Sequence, residues 1–184
     1  MGPAGDLSCE LICESAMPPD VDRSIKALLC TCFPRDADAF RVSRHWHGSA
    51  PQYSVVLRDG PDIVGHVGVV VRPITCGGKP VVIAGVQNFA VAPPWRGRGL
   101  GPRLMAEAMT EARRRELDYG LLFCLPALEP YYAALGWRRT HVRVFARFDG
   151  GPIVELPDYN VTMYLELGPR PFPPGDIDLC GPDF

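Results

Sequence analysis

A chain of 184 residues is long enough for one domain with its own core and too short for two of ordinary size. With 47% apolar residues, 22% charged residues and a formal net charge of −2, it has globular composition, and its total charge does not point to nucleic acid or an anionic bilayer, although a few clustered arginines can still bind one phosphate group. No run approaches the roughly 18 to 20 apolar residues of a membrane-spanning helix. The start Met1-Gly2-Pro3-Ala4-Gly5-Asp6 lacks the basic and apolar stretches of a secretion signal. Seven cysteines, odd in number and irregularly spaced, fit a reduced setting, so a cytoplasmic location is expected.

Residues 7–13 read as a first strand. Asp20 is placed to cap a helix whose apolar residues Val21, Ile25, Leu28 and Leu29 recur at helical spacing, and Phe33-Pro34 ends it. A second, weaker helix covers residues 36–47. Residues 53–58 are β-rich, Asp59-Gly60-Pro61-Asp62 is a turn, and residues 63–72 form a long strand. Cys76-Gly77-Gly78-Lys79 is a hairpin turn, and residues 81–91 form the next strand. The longest helix follows, with Pro102 at its first position. Leu104, Met105, Ala108, Met109 and Ala112 make its apolar face, and Arg113-Arg114-Arg115 stand at its end, where cations suit the helix dipole. Residues 120–125 are fully apolar, as in a strand buried on both faces. A short helix covers residues 129–135 and stops at Gly136. Val142, Val144, Ala146 and Phe148 alternate with polar residues, and residues 161–167 give the last strand. The proline-rich tail, residues 168–184, is expected to be irregular. Its acids and its Ile177, Leu179 and Phe184 suggest that it packs back. The order gives a single mixed α/β (α+β) domain over residues 1–184, around a mostly antiparallel sheet of about six to seven strands flanked by about four helices.

The most informative segment is Val91-Ala92-Pro93-Pro94-Trp95-Arg96-Gly97-Arg98-Gly99-Leu100-Gly101-Pro102. A strand ends, a turn follows and a long helix begins. Gly97, Gly99 and Gly101 permit positive φ and close backbone approach. The helix start offers unpaired N–H groups to phosphate, and Arg96 and Arg98 add charge beside it. An ordinary turn with solvated arginines remains open. A G-x-G-x-x-G dinucleotide site fits poorly, because the spacing is Gly97-x-Gly99-x-Gly101 and antiparallel hairpins precede it.

Arg96-x-x-Gly99-x-Gly101 resembles the R/Q-x-x-G-x-G/A signature of the GCN5-related N-acetyltransferase (GNAT) superfamily, and Phe89-Ala90-Val91-x-Pro93 resembles the strand leading into it. The resemblance covers residues 63–140. It implies that backbone amides of Arg96, Gly97, Arg98, Gly99, Leu100 and Gly101 hold the pyrophosphate of acetyl-coenzyme A. It also implies that the fourth and fifth strands splay, that Phe89 and Val91 bond the pantetheine and thioester, and that residues 123–125 lie opposite. Pro102 departs from the pattern by removing one donor. A second segment, Glu129-Pro130-Tyr131-Tyr132-Ala133-Ala134-Leu135-Gly136-Trp137, resembles the family's aromatic–tyrosine–glycine helix. That match places Tyr132 near the coenzyme sulfur as the acid that protonates the departing thiolate. Packing is the alternative role for either tyrosine.

On the amine side the resemblance aligns Gln87 with a family glutamate. Glutamine is no base near neutrality, though it can orient a water. His66, on the neighbouring strand, is the candidate replacement. The tail faintly resembles the ends of aminoglycoside 2′-N-acetyltransferases and nodulation-type N-acyltransferases. Metal binding is not expected: Cys9 and Cys13, Cys30-x-Cys32 and His45-Trp46-His47 lack ligand spacing. The expected activity is direct acetyl transfer to an amine, with a small-molecule acceptor, no nucleic acid or membrane partner, and a homodimer left open. The alternatives are a non-catalytic acyl-coenzyme A-binding module and transfer of a longer acyl chain.

Overall fold

Leu7–Cys13 forms a strand, β1, paired antiparallel along its whole length with Tyr53–Asp59 (β2), from Leu7 against Asp59 to Cys13 against Tyr53. The computed structural model describes residues 7–184, and the reading of Met1 to Asp6 lies outside them. Between these strands, Pro19–Cys32 (α1) buries Val21, Ile25, Leu28 and Leu29. Asp20 is not its cap. Pro19 occupies the first helical position, where its missing N–H costs nothing, and Asp20 and Asp22 stand in the first turn, where carboxylates suit the dipole. The second helix is shorter than its pattern implied. Ala37–Val42 (α2) follows a 3₁₀ turn at Pro34–Asp36, and Ser43 is already extended. Phe40 is its one buried residue, and a short helix with so little apolar face does not propagate.

Asp62–Cys76 (β3) and Lys79–Val91 (β4) neighbour each other across the Gly77-Gly78 turn. Leu100–Arg114 (α3) begins two residues before Pro102, which is therefore its third residue. That is still the first turn, so the proline breaks no helical bond. Tyr119–Cys124 (β5) is buried on both faces apart from a partly covered Phe123, and Glu129–Ala134 (α4) stops before Gly136. Arg138–Thr140 (β6), Val144–Arg147 (β7), Ile153–Glu155 (β8), Val161–Glu166 (β9) and Ile177–Asp178 (β10) complete the order. Among the described residues the sheet pairings involve ten strands, more than the sequence pattern implied. The added β6, β8 and β10 are two or three residues long, too short for alternation to register.

Contacts divide the chain into two compact units. The first holds residues up to 46, 50–69 and 87–110. Its strand pairing runs β1-β2-β3, with a register shift between Leu57 and Arg58. Ile25, Leu29, Phe40 and Val56 lie in its core, and β4 is tied to β3 where Ala92 N–H donates to the Val64 carbonyl at 2.8 Å. The second unit holds residues 47–49, 70–86 and 111–184. Its strands follow the order β6-β9-β5-β4-β3-β10-β7-β8. There β4 pairs in parallel with β5 over Ile83–Gly85 against Tyr119–Leu121, while β5 pairs with β9 as far as Cys124 against Val161. The tail enters this unit as β10, antiparallel to β3 and parallel to β7, with Ile177 and Leu179 fully buried. The Phe184 ring lies on Gly85, where a Cβ would come within 2.5 Å of it. Arg72 stacks over that ring at 5.3 Å and donates to the Pro182 carbonyl.

Candidate active site

In the first unit the decisive stretch is the end of β4. Asn88 has φ +52, a left-handed conformation that asparagine tolerates better than most residues and that interrupts a strand's pleat. Its side chain is held, with Nδ2 donating to the Arg44 carbonyl at 2.5 Å and lying 3.3 Å from Gln87 Oε1. Gln87, also buried, accepts the Trp46 N–H at 3.2 Å. Residues 44–46 are thus pinned to β4 at two successive positions, immediately before Phe89.

Val91 ends the strand, and its carbonyl accepts Arg96 Nε at 2.9 Å and the Cys32 thiol at 3.5 Å. A 3₁₀ turn at Pro93–Trp95 leads into the glycines. Gly97 and Gly99 have φ +73 and +72, and a Cβ at either would meet nothing within 4 Å. Backbone conformation, not crowding, selects glycine at both. Gly101 differs: it is an ordinary helical residue inside α3. The Arg98 guanidinium lies 4.8 Å over the Trp95 ring, and Arg96 and Arg98 are both exposed. The amides of Leu100 and Gly101 belong to the first turn of α3, where the helix supplies no acceptor. Exposed guanidinium groups, first-turn amides and open space above the glycines suit a phosphate group.

His66 lies on β3, buried to 1% exposure, and burial pushes its pKa down to about 4. Its Nδ1 is 3.0 Å from the Asn88 carbonyl and its Nε2 is 3.1 Å from Ser54 Oγ. Ser54 Oγ also lies 2.6 Å from Glu14 Oε1. Arg44 donates to Glu14 Oε2 and Asp22 Oδ1 at 2.5 Å each. His66, Gln87, Phe89, Val91 and the turn residues therefore belong to one unit.

Tyr132 belongs to the other. On α4 it is buried to 8% exposure, and that burial pushes its phenol above the ordinary range, with the Cys124 thiol and Tyr131 adding to the effect. Tyr131 is 37% exposed and meets the Tyr132 ring edge-on at 5.3 Å. Trp137 packs at 6.4 Å on the same ring, and its buried indole N–H has no hydrogen-bond partner among the described residues. Sequence reasoning passed over Asn88, Ser54, Glu14 and Arg44. The one signal was for Asn88 alone, an asparagine inside an apolar strand run between Gln87 and Phe89, a residue type enriched at positive φ; nothing local marks the other three. Among the described residues, no group of three or more His, Cys, Asp or Glu side chains is gathered as metal ligands would be, and no helix is long and apolar enough to cross a membrane.

The chain belongs to the GNAT acetyltransferase family, whose domain model, described as an acetyltransferase (GNAT) domain, matches residues 18–140. Among curated proteins it is 30% identical over 136 residues to nodulation protein A of Bradyrhizobium elkanii, covering 73% of this chain and 60% of that protein. It is 24% identical over 145 residues to nodulation protein A of Rhizobium tropici, covering 79% of this chain and 67% of that one. Among solved structures, a GNAT family N-acetyltransferase (YhbS) from Escherichia coli, in complex with CoA, superposes with TM-score 0.70 at 20% identity, over 97% of this chain and 92% of that one. A GNAT family acetyltransferase from Brucella melitensis, in complex with acetyl-CoA, gives TM-score 0.58 at 21% identity, over 92% and 94%. An acyl-CoA N-acyltransferase from Pseudomonas aeruginosa gives 0.60 at 15%, over 86% and 99%. At these identities the structural likenesses speak to fold.

Proposed function

We propose that this chain is an N-acetyltransferase that moves the acetyl group of acetyl-coenzyme A directly to the amine of a small-molecule acceptor. The observation that carries the reading is the turn from Arg96 to Gly101, with two left-handed glycines opening a 15-residue helix. Acetyl-coenzyme A enters as substrate. The turn amides with Arg96 and Arg98 would take its pyrophosphate, and the N–H groups of Phe89 and Val91 would take the pantetheine and polarise the thioester carbonyl. The neutral amine attacks that carbonyl and a C–N bond forms. The tetrahedral intermediate then collapses with loss of the C–S bond, and the Tyr132 phenol protonates the leaving thiolate. The proton shed by the amine returns through water to the phenolate, so the reaction consumes only amine and thioester. Gln87 has no titratable proton and does not take up the amine's proton; its Oε1 accepts the Trp46 N–H.

The test is thiol release from acetyl-coenzyme A with a panel of primary amines. Release that tracks amine consumption supports the reading. Tight coenzyme A binding with no release for any amine would make the chain a binding module instead. A second reading, transfer of a longer acyl chain, is favoured by the exposed Leu125, Leu128 and Tyr131, which follow β5 within seven residues. A series of acyl-coenzyme A thioesters of increasing length separates the two.

A further inference from the structure

Asp22 on α1, Glu14 after β1, Arg44 after α2, Ser54 on β2, His66 on β3 and Asn88 on β4 form one largely buried polar chain. The proposed reaction gives this chain no part. Donor and acceptor inventory assigns its inner bonds. The Asn88 carbonyl can only accept, so His66 carries a proton on Nδ1. Ser54 has one hydroxyl proton and two acceptors within reach, Glu14 Oε1 at 2.6 Å and His66 Nε2 at 3.1 Å. Whichever it serves, the Nδ1–H bond to Asn88 stays. Ser54 holds the ring from behind only when its hydroxyl donates to Nε2, and Arg44 holds Glu14 behind Ser54.

The bond from His66 lands on a peptide group of particular interest. The Asn88 carbonyl and the Phe89 N–H are two ends of the same peptide. No peptide in the described chain is cis, so that carbonyl and that N–H point in opposite directions. A donor on the carbonyl fixes the peptide plane and draws electron density toward oxygen, which makes the N–H on the far side a stronger donor. Asn88 stands at φ +52, a conformation that persists only where surroundings over-determine it. The His66 bond and the bond from Asn88 Nδ2 to the Arg44 carbonyl do so from two directions.

We propose that His66 is a positioning residue for acyl transfer, aiming and polarising the Phe89 N–H by donating from Nδ1 to the carbonyl of the same peptide. The inference rests on the reading that Phe89 binds the thioester. It separates His66 from a base. A base gives up a nitrogen lone pair to the amine's proton, whereas this role needs only an N–H at the Nδ1 position, which asparagine can also supply.

Three variants and two readouts test it. His66→Leu keeps bulk and loses the donor. Its kcat should fall about 10- to 100-fold, approaching the loss of a donor at a developing oxyanion, while acetyl-coenzyme A affinity by calorimetry stays unchanged. His66→Asn should recover most of that kcat. Ser54→Ala, cut behind the ring, should retain more kcat than His66→Leu. The second readout needs no turnover: the Phe89 amide proton resonance in the ligand-free protein should move upfield in His66→Leu and return in His66→Asn. Equal kcat loss in the Leu and Asn variants, a kcat loss matched by lost coenzyme affinity, or a Phe89 resonance that does not move in His66→Leu would each overturn the proposal. A wild-type protein that releases no thiol with any amine overturns the acetyltransfer reading instead, and the resonance still decides the role of His66.

Discussion

Tyr132 is enclosed by Tyr131 and Trp137, and burial holds its proton more tightly than an ordinary phenol does. An acid so placed stays protonated throughout the accessible pH range, so turnover should show no alkaline limb below the ordinary phenol value of about 10. Tyr132→Phe keeps the ring and removes the hydroxyl. Turnover should fall about 10² to 10⁴-fold, the usual share of acid–base catalysis, with coenzyme A affinity constant. Tyr131→Phe should be nearly silent; the reverse pattern would move the acid by one residue. On the coenzyme side, Arg96→Ala and Arg98→Ala should each weaken coenzyme A binding by about 1 to 3 kcal/mol in calorimetry. Arg96 also braces the Val91 carbonyl, so its loss should be the larger. Unchanged affinity in both variants would remove the phosphate role.

Element by element, the last strand shows how much an added segment can contribute. The Phe184 ring fills the space above Gly85, 5.4 Å from Phe123. Phe184→Ala should destabilise by about 3 kcal/mol or more, as for other core phenylalanines. Gly85→Ala should cost about 1 to 3 kcal/mol by overpacking. The two substitutions should not add, because removing the ring makes room for the methyl group, and a double-mutant cycle in denaturant would read that coupling. Strict additivity would mean that the ring does not sit on Gly85. In the sequence, Ile177, Leu179 and Phe184 suggested that residues 168–184 pack back, but not that they add a strand. Two-residue β10 carries no period, and its partners Cys76 and Val144 are distant along the chain. The turn at Arg96–Gly101 was legible for the opposite reason. Gly97 and Gly99 stand where φ is positive, and that demand is written locally. The His66 chain was not legible, since its members come from six separate stretches of the sequence.

For the molecule as a whole, stability should respond to acid in two stages. His66 titrates near about 4 in the folded state against about 6.5 unfolded, so the unfolded chain binds the extra proton between those values. The stability it contributes is present above about pH 6.5 and is lost as pH falls toward 4, up to about 3 kcal/mol. Glu111 follows. The Arg114 hydrogen bond, opposed by desolvation and reinforced by Arg115, lowers its pKa to about 2. Its contribution is therefore lost below the ordinary carboxylate range. Melting temperatures from pH 7 to 3 should fall through both windows. The first stage should vanish in His66→Asn and the second should shrink in Glu111→Gln. A flat profile between pH 6.5 and 4 in the wild type would show that His66 is not a buried neutral group.

The pairing of Ile177 with Cys76 joins positions roughly a hundred residues apart along the chain. Closing so long a loop is slow, and pairing with the nearer β7 does not by itself bring the strand onto β3. The second unit should therefore reach its final state late, after β3 and β4 have met through their short hairpin. Before that moment Gly85 and its neighbours are uncovered. A refolding chain would pass through a stage with exposed apolar surface, visible as transient binding of a hydrophobic dye that disappears when the last strand docks.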